Sequence, residues 1–219
     1  MQYITREQME AVDDKAINEY NTPLLSMMER AGSHLADFVL SLDPAKVVVA
    51  YGAGHNGGGG LVAARYLTRT VSVELLAASK KLKKATQTQL EKLNLEHREN
   101  IESEDGLVIV DALLGYSVTR DPEGSYADAI QKITVAQKNG ARVVSLDLPS
   151  GLDATTGVAY TPHITADYTL TLALPKTGLK NTAVTNRLYL ANIGIPDQVY
   201  ADLGIEIENY FEGGDVVGV

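Results

Sequence analysis

The sequence contains no cysteine among its 219 residues. Disulfide scaffolds, thiolate zinc sites and cysteine nucleophiles are therefore excluded. Basic residues are also scarce, since 19 Lys and Arg stand against 28 Asp and Glu and the formal net charge is -9. Binding to a nucleic-acid backbone depends on basic surface that releases counterions, so we expect no nucleic-acid partner.

Long apolar runs are missing as well. No stretch approaches the roughly 20 residues that cross a bilayer, and residues 1–7 lack the basic and apolar regions of a secretory signal. We therefore expect a cytoplasmic protein with no membrane partner. Hydrophobic residues make up 45% of the chain, which suffices for one well-packed domain over residues 1–219.

Apolar periodicity predicts two helices first, and we expect both to pack on a sheet. Thr5 and Gln8 form a capping-box pattern, and Thr22-Pro23 predicts a second helix that runs to about Leu42. Short β-branched runs then alternate with helical segments. The predicted strands are Lys46–Tyr51, Val71–Ala77, Leu107–Asp111, Arg142–Asp147, Tyr168–Ala173 and Arg187–Asn192; the predicted helices are Gly58–Leu67, Lys84–Leu93 and Tyr126–Asn139.

Several of these strands are almost continuously apolar, which is typical of a parallel sheet covered by helices on both faces. The alternation of strands and helices predicts an α/β fold: a three-layer α/β/α, Rossmann-like domain with a mainly parallel sheet. Ligands of such folds bind at the carboxyl ends of the strands. Asp111 and Asp147 end two predicted strands, and a glycine-rich stretch at residues 52–60 follows the first.

The glycine stretch has two interpretations. Gly52, Gly54 and Gly57 have the spacing of a dinucleotide-binding loop, and Glu74 stands where a ribose-binding acid is expected. A tight turn without a ligand also uses glycines. Many backbone N–H groups beside a helix start favour an anionic or polar ligand.

Residues 54–65, with the sequence GHNGGGGLVAAR, resemble the glycine loop of the YjeF N-terminal domain family, the NAD(P)HX epimerases, whose usual form is GNNGGDGLVAAR. The other matching stretches keep the family's order and are Met28–Gly32, Val110–Gly115, Asp147–Asp153, Thr156-Gly157, Ala166–Leu170, Lys176–Gly178 and Ile193–Pro196. The resemblance implies a stand-alone epimerase domain for hydrated NADH and NADPH, functionally coupled to a separate dehydratase. A homodimer is expected, because it is the commonest oligomer.

The resemblance also implies site residues. Substrate contacts fall on His55, Asn56, Gly57, Gly58, Gly59, Gly115, Tyr116, Ser117, Val118, Thr119, Arg120, Asp121 and Asp147. One potassium ion per subunit falls on Asn56, Asp111 and Ser150, whose oxygen donors suit a hard cation. For the proton transfer in epimerisation we predict Asp121 as general acid–base, with a turn-forming Asp-Pro as the alternative. Asp147 is expected to anchor the nucleotide.

Two loop positions depart from the family, because His55 replaces its first Asn and Gly59 replaces its Asp. These changes keep a second function open: a catalytically altered member of the same fold that binds a nucleotide-like ligand or a protein partner. Lys176 and Lys180 also have two interpretations. They are either solvated loop lysines or groups that attract the dinucleotide phosphates.

Overall fold

The computed structural model describes residues 1–180 and 182–219. Over this range seven strands form a sheet in the order β2-β1-β3-β4-β5-β6-β7. The strands are β1 (Lys46–Tyr51), β2 (Ser72–Ala77), β3 (Leu107–Ala112), β4 (Arg142–Leu146), β5 (Ala166–Leu172), β6 (Thr185–Ala191) and β7 (Val216–Gly218). Strands β1 to β6 are parallel and β7 is antiparallel to β6. The predicted α/β fold with a mainly parallel sheet is confirmed.

Helices cover both faces of the sheet. They are α1 (Arg6–Asn18), α2 (Leu24–Leu40), α3 (His55–Leu67), α4 (Lys84–Leu90), α5 (Ser125–Lys138) and α6 (Asp197–Asp202). Leu35 of α2 and Leu61 of α3 pack with Val110 on one face. Ile130 and Ile133 of α5 are buried on the other. Burial of both faces explains why the central strands are apolar along their whole length.

Helix α1 lies at the end of the sheet. Its capping box is present, because the Thr5 side chain accepts a hydrogen bond from the Gln8 N–H and the Gln8 side chain accepts one from Thr5. Its buried residues Met9, Val12 and Ala16 pack with α6 and with the segments that follow β5 and β6. Helix α2 packs on one face of the sheet, whereas α1 packs at the ends of β5 and β6. Helix α1 therefore covers the carboxyl ends of neighbouring strands.

Helix α3 begins at His55, three residues before the predicted start at Gly58. Gly57 to Gly60 lie in the first turns of α3, where the lack of side chains allows close packing. A Cβ at Gly60 would lie 2.5 Å from the Cβ of Ala112 in β3. Within the described ranges, no helix has both the length and the apolar character that crossing a bilayer requires.

Candidate active site

A cavity of about 320 Å³ lies at the carboxyl ends of β1, β3, β4 and β5. Strand β2 pairs with β1 on one side and β3 pairs with β1 on the other, so the strand order reverses at β1. Ligands of open α/β sheets bind at such a point. The polar side chains around the cavity are Asp13, His55, Asn56, Lys83, Tyr116, Ser117, Tyr126, Asp147 and Lys176.

The glycine loop brings α3 against the end of β1. Gly57 lies in the first turn of α3, and a Cβ there would lie 2.1 Å from the backbone oxygen of Gly52. The N–H of Gly58 donates to the Gly54 carbonyl at 3.2 Å, which closes the first helical turn. The loop therefore needs glycine at position 57 for a close approach of two backbone segments.

We expect Gly57→Ala to lower the free energy of unfolding by about 1 to 3 kcal/mol, because the backbone at Gly52 has no room for a methyl group. Gly54→Ala is the matched control: a Cβ there meets no atom within 4 Å. Gly54→Ala should lower the free energy of unfolding by less than about 1 kcal/mol, the difference between glycine and alanine as N-caps. Urea unfolding measures both; equal losses would contradict the packing explanation.

An ion pair is buried at one wall of the cavity. Asp147 directly follows β4, and Lys176 lies beyond the end of β5. The Lys176 ammonium donates to Oδ1 of Asp147 and, at 2.8 Å, to the Leu172 carbonyl. Lys176 is only 1% exposed, so its interpretation as a solvated loop lysine is wrong. Lys180, in contrast, is exposed.

A second buried carboxylate organises the loops after β3 and β4. Both oxygens of Asp111 accept hydrogen bonds, from the Ser150 hydroxyl at 2.5 Å, the Ser150 N–H at 2.9 Å and the Ser145 hydroxyl at 2.7 Å. The Leu113 N–H is a fourth donor at 3.3 Å. Burial raises the pKa of Asp111, an effect that these hydrogen bonds oppose. Asp111 therefore fixes the two loops to each other.

Asn56 lies beside this cluster. Its Nδ2 donates to the carbonyls of Leu114 and Leu146, at 3.0 and 3.1 Å. The Ser150 hydroxyl lies 3.4 Å from the same Leu114 carbonyl and accepts a hydrogen bond from the Leu114 N–H. The structure thus brings Asn56, Asp111 and Ser150 together, as the sequence predicts for one site at the strand ends.

A second acidic group that lines the cavity, beside Asp147, comes from α1. The Tyr116 hydroxyl donates to Oδ2 of Asp13 at 2.7 Å, and both residues line the cavity. Burial raises the pKa of Asp13, although the Tyr116 hydrogen bond and the charge of Lys176 lower it in part. Burial and the Asp13 charge also raise the pKa of Tyr116. At neutral pH the tyrosine therefore keeps its proton.

The predicted substrate contacts divide into two groups. Those that line the cavity are His55, Asn56, Gly59, Gly115, Tyr116, Ser117 and Asp147. Those outside its lining are Gly57, Gly58 and Val118, which are buried in the fold, and Thr119, Arg120 and Asp121, which are exposed. The second half of the loop after β3 therefore points away from the cavity.

Asp121 and Glu74 both have structural partners outside the cavity lining. Oδ1 of Asp121 accepts a hydrogen bond from the Thr161 N–H at 2.9 Å. The structure does not bring its carboxylate to the cavity, so its acid–base role stays a prediction. Glu74 forms ion pairs with Lys46 at 3.1 Å and Arg98 at 2.6 Å. Glu74, whose spacing from the glycine loop suggests a ribose contact, is therefore engaged in two ion pairs.

The chain matches the family model described as YjeF-related protein N-terminus over residues 24–178. The chain belongs to this YjeF N-terminal family. An NAD(P)H-hydrate epimerase of Dehalogenimonas lykanthroporepellens is 35% identical over 215 residues, which cover 93% of this chain and 86% of the relative. An NAD(P)H-hydrate epimerase of Limosilactobacillus fermentum is 36% identical over 188 residues, or 81% of this chain and 88% of that protein.

A longer relative and a solved structure complete the comparison. The bifunctional NAD(P)H-hydrate repair enzyme Nnr of Thermofilum pendens is 32% identical over 221 residues, which cover 92% of this chain but 42% of that protein. The crystal structure of the yeast protein ynu0 superposes with a TM-score of 0.85 at 22% identity, over 100% of both chains. This likeness shows the fold.

The two departures from the YjeF pattern have different surroundings. A Cβ at Gly59 would lie 2.9 Å from Cδ2 of Leu146, so this leucine occupies space that the family's Asp side chain would need. Gly59 also lies inside α3, where its amide belongs to the helix and is not free for a ligand. His55 lines the cavity, and its partial burial there together with the nearby Lys83 charge lowers its pKa.

Sequence reasoning missed one charged residue of this site, Asp13, and left Lys176 with two interpretations. Asp13 follows Met9 and Val12 on the buried face of α1, and a carboxylate on an apolar helix face was the available signal. Lys176 begins a stretch that matches the YjeF family, yet its spacing alone does not distinguish a buried lysine from a solvated one. The positions of Asp13 and Lys176 in the site depend on partners that are far away in the sequence, Tyr116 and Asp147.

Proposed function

We propose that this chain is an NAD(P)H-hydrate epimerase, which interconverts the R and S epimers of hydrated NADH and NADPH. Support comes from family membership and from relatives that carry this name and match over most of their length. The observation that carries the proposal is the buried Asp147–Lys176 pair in the wall of a cavity at the strand ends. Burying a charge costs free energy, and a buried ion pair that lines a cavity is suited to orient a polar ligand there.

The cavity has the size of a site for part of the substrate. About 320 Å³ is at the lower end of the range for small-molecule sites and is too small for a whole dinucleotide. We therefore place the hydrated nicotinamide near Asp147 and Lys176. The phosphates then extend toward the N-terminus of α3, where helix amides and Lys83 favour negative charge.

A potassium ion fits the residues that meet beside the cavity. Asn56, Asp111 and Ser150 offer an amide oxygen, one carboxylate and one hydroxyl, which together suit a hard cation of low charge. Asn56 would turn its amide, which now donates through Nδ2, to present its oxygen. A bound potassium ion would supply a fixed positive charge next to the loops that hold the substrate.

We expect potassium to stabilise the folded chain. Binding to the folded state alone is worth about 2.7 kcal/mol at a potassium concentration of about 100 times the Kd. Thermal unfolding in KCl, compared with choline chloride at equal ionic strength, measures this. Ser150→Ala removes one proposed ligand and should reduce the response. An equal unfolding temperature in both salts would contradict the potassium site.

Purified R epimer of hydrated NADPH tests the activity. Conversion to the S epimer, followed by chromatography or NMR, should exceed the spontaneous rate when the protein is present. Binding without acceleration would instead favour the altered family member, which His55 and Gly59 keep open. If the protein showed no binding of the R epimer and no acceleration, the proposal would be overturned.

The product of this reaction is the substrate of a dehydratase. Bifunctional relatives, of which this chain spans 42%, support a functional coupling between the two activities. We extend the proposal to a functional coupling between this chain and a dehydratase activity. A homodimer and a cytoplasmic location stay predictions.

A further inference from the structure

The proposed epimerisation requires protons to move at two atoms of the substrate. If the hydrated ring opens, the hydroxyl on the hydrated carbon loses its proton, a carbonyl forms there, and the bond from that carbon to the ring nitrogen breaks. The electron pair of that bond goes to the nitrogen, which then takes up a proton. Closure on the other face of the carbonyl reverses every transfer and gives the second epimer.

The cavity contains two acidic groups whose partners differ. Asp147 is paired with the full positive charge of Lys176, whereas Asp13 is paired with the neutral hydroxyl of Tyr116 at 2.7 Å. Carboxylates in such different surroundings commonly divide the roles of acid and base. Burial raises the pKa of Asp13, and its partner is a neutral phenol rather than a cation, so this carboxylate can take up a proton.

The placement of Asp13 depends on the docking of α1. Met9, Val12 and Ala16 bury that helix against the segments after β5 and β6. This leaves Asp13 at the cavity and its neighbour Asp14 exposed, with the Asp14 carboxylate accepting a hydrogen bond from Asn18 at 2.7 Å. The Asp13 carboxylate is thus fixed in the cavity wall.

We infer that Tyr116 and Asp13 form a proton relay of the epimerase, in which Tyr116 contacts the substrate hydroxyl and Asp13 acts through it as a positioning residue. The substrate hydroxyl gives its proton to the Tyr116 oxygen, while the Tyr116 proton passes to Asp13. Lys176 gives a proton to the ring nitrogen and regains it when the ring closes. The inference rests on the proposed function, because it assigns roles within that reaction.

The donor geometry supports this direction of transfer. Since the Tyr116 hydroxyl donates its hydrogen to Asp13, its oxygen lone pairs are free to accept a proton from the substrate. Burial also raises the pKa of Asp13, which makes its carboxylate a better proton acceptor near neutral pH. Asp121 is exposed and bonded to the Thr161 N–H, so this relay replaces it as the acid–base group that the cavity contains.

Asp13→Asn keeps an oxygen that can accept the Tyr116 hydrogen bond but cannot take up the proton. We expect kcat to fall by about 100-fold, the lower range for general acid–base catalysis, with KM changed by less than about threefold. Tyr116→Phe should lower kcat similarly. The double variant should be no slower than the slower single variant, because residues that act as one unit are not additive.

Asp14→Asn is the matched control, since it makes the same change one residue away outside the cavity, and its kcat should equal that of wild type. Thermal unfolding and the Kd for unhydrated NADPH show whether each variant folds and binds.

A wild-type kcat in Asp13→Asn, or multiplying effects in the double variant, would overturn the relay alone. A fall in kcat for Asp121→Asn but not for Asp13→Asn would return the role to Asp121. A wild type that gives no acceleration would overturn the proposed function and the relay with it.

Discussion

Asp147→Asn should lower the free energy of unfolding by about 3 to 5 kcal/mol, the usual result when one partner of a buried ion pair is removed. Lys176 is 1% exposed, so its ammonium cannot turn to water when the carboxylate is lost. Asparagine is the suitable replacement, because residue 147 has a φ of 67°, a left-handed conformation that Asp and Asn tolerate better than alanine. Urea unfolding measures the loss.

The double variant Asp147→Asn/Lys176→Met provides the control for this result. Replacing a buried ion pair by residues of similar volume is often neutral, so stability should return to within about 1 kcal/mol of wild type. Epimerase activity and NADPH binding should stay low in both variants, because each lacks the Asp147 carboxylate. An equal loss of stability in the single and double variants would show that packing, rather than an unpaired charge, sets the effect.

The sequence predicts most of the sheet because burial on both faces leaves a clear apolar pattern. Lys46–Tyr51 is predicted with the bounds of β1, and the strands β2 to β6 differ from prediction by one or two residues at their ends. Strand β7 and helix α6 are short and have no periodic pattern of their own. Strand β7 depends on the pairing of Val216 with Ala191 of β6, a contact that local sequence does not report.

The site is predictable where its residues end strands. Asp111 and Asp147 follow buried strands, and Asn56 follows the glycine turn, so topology alone places them at one edge of the sheet. Other parts of the cavity lining come from α1, from α2 and from the segment after β5. Whether Asp13 or Lys176 is buried depends on the docking of those segments, which no local pattern encodes. The position of residues 118–121 outside the cavity lining is equally hard to predict, because the direction of an irregular loop follows from its tertiary contacts.

Asp111→Ala should be among the most destabilising single substitutions in this chain. It removes the acceptor of two hydroxyls and two backbone N–H groups at a position that is fully buried. A buried donor left without a partner costs about 1 to 3 kcal/mol. The Ser150 hydroxyl keeps the Leu114 carbonyl as an alternative acceptor at 3.4 Å, which reduces the total. We therefore expect a loss of about 3 to 5 kcal/mol, similar to the removal of one partner from other buried charged networks.

Two variants separate the hydrogen bonds of Asp111 from its volume and charge. Asp111→Asn keeps one accepting oxygen, so its loss should be smaller than that of Asp111→Ala. Ser145→Ala removes one donor and leaves Asp111 with its other three, so it should cost only about 1 kcal/mol. Urea unfolding of the three variants in choline chloride excludes any contribution from potassium. Equal stability of Asp111→Ala and Ser145→Ala would contradict the explanation that the four hydrogen bonds of Asp111 join the loops after β3 and β4.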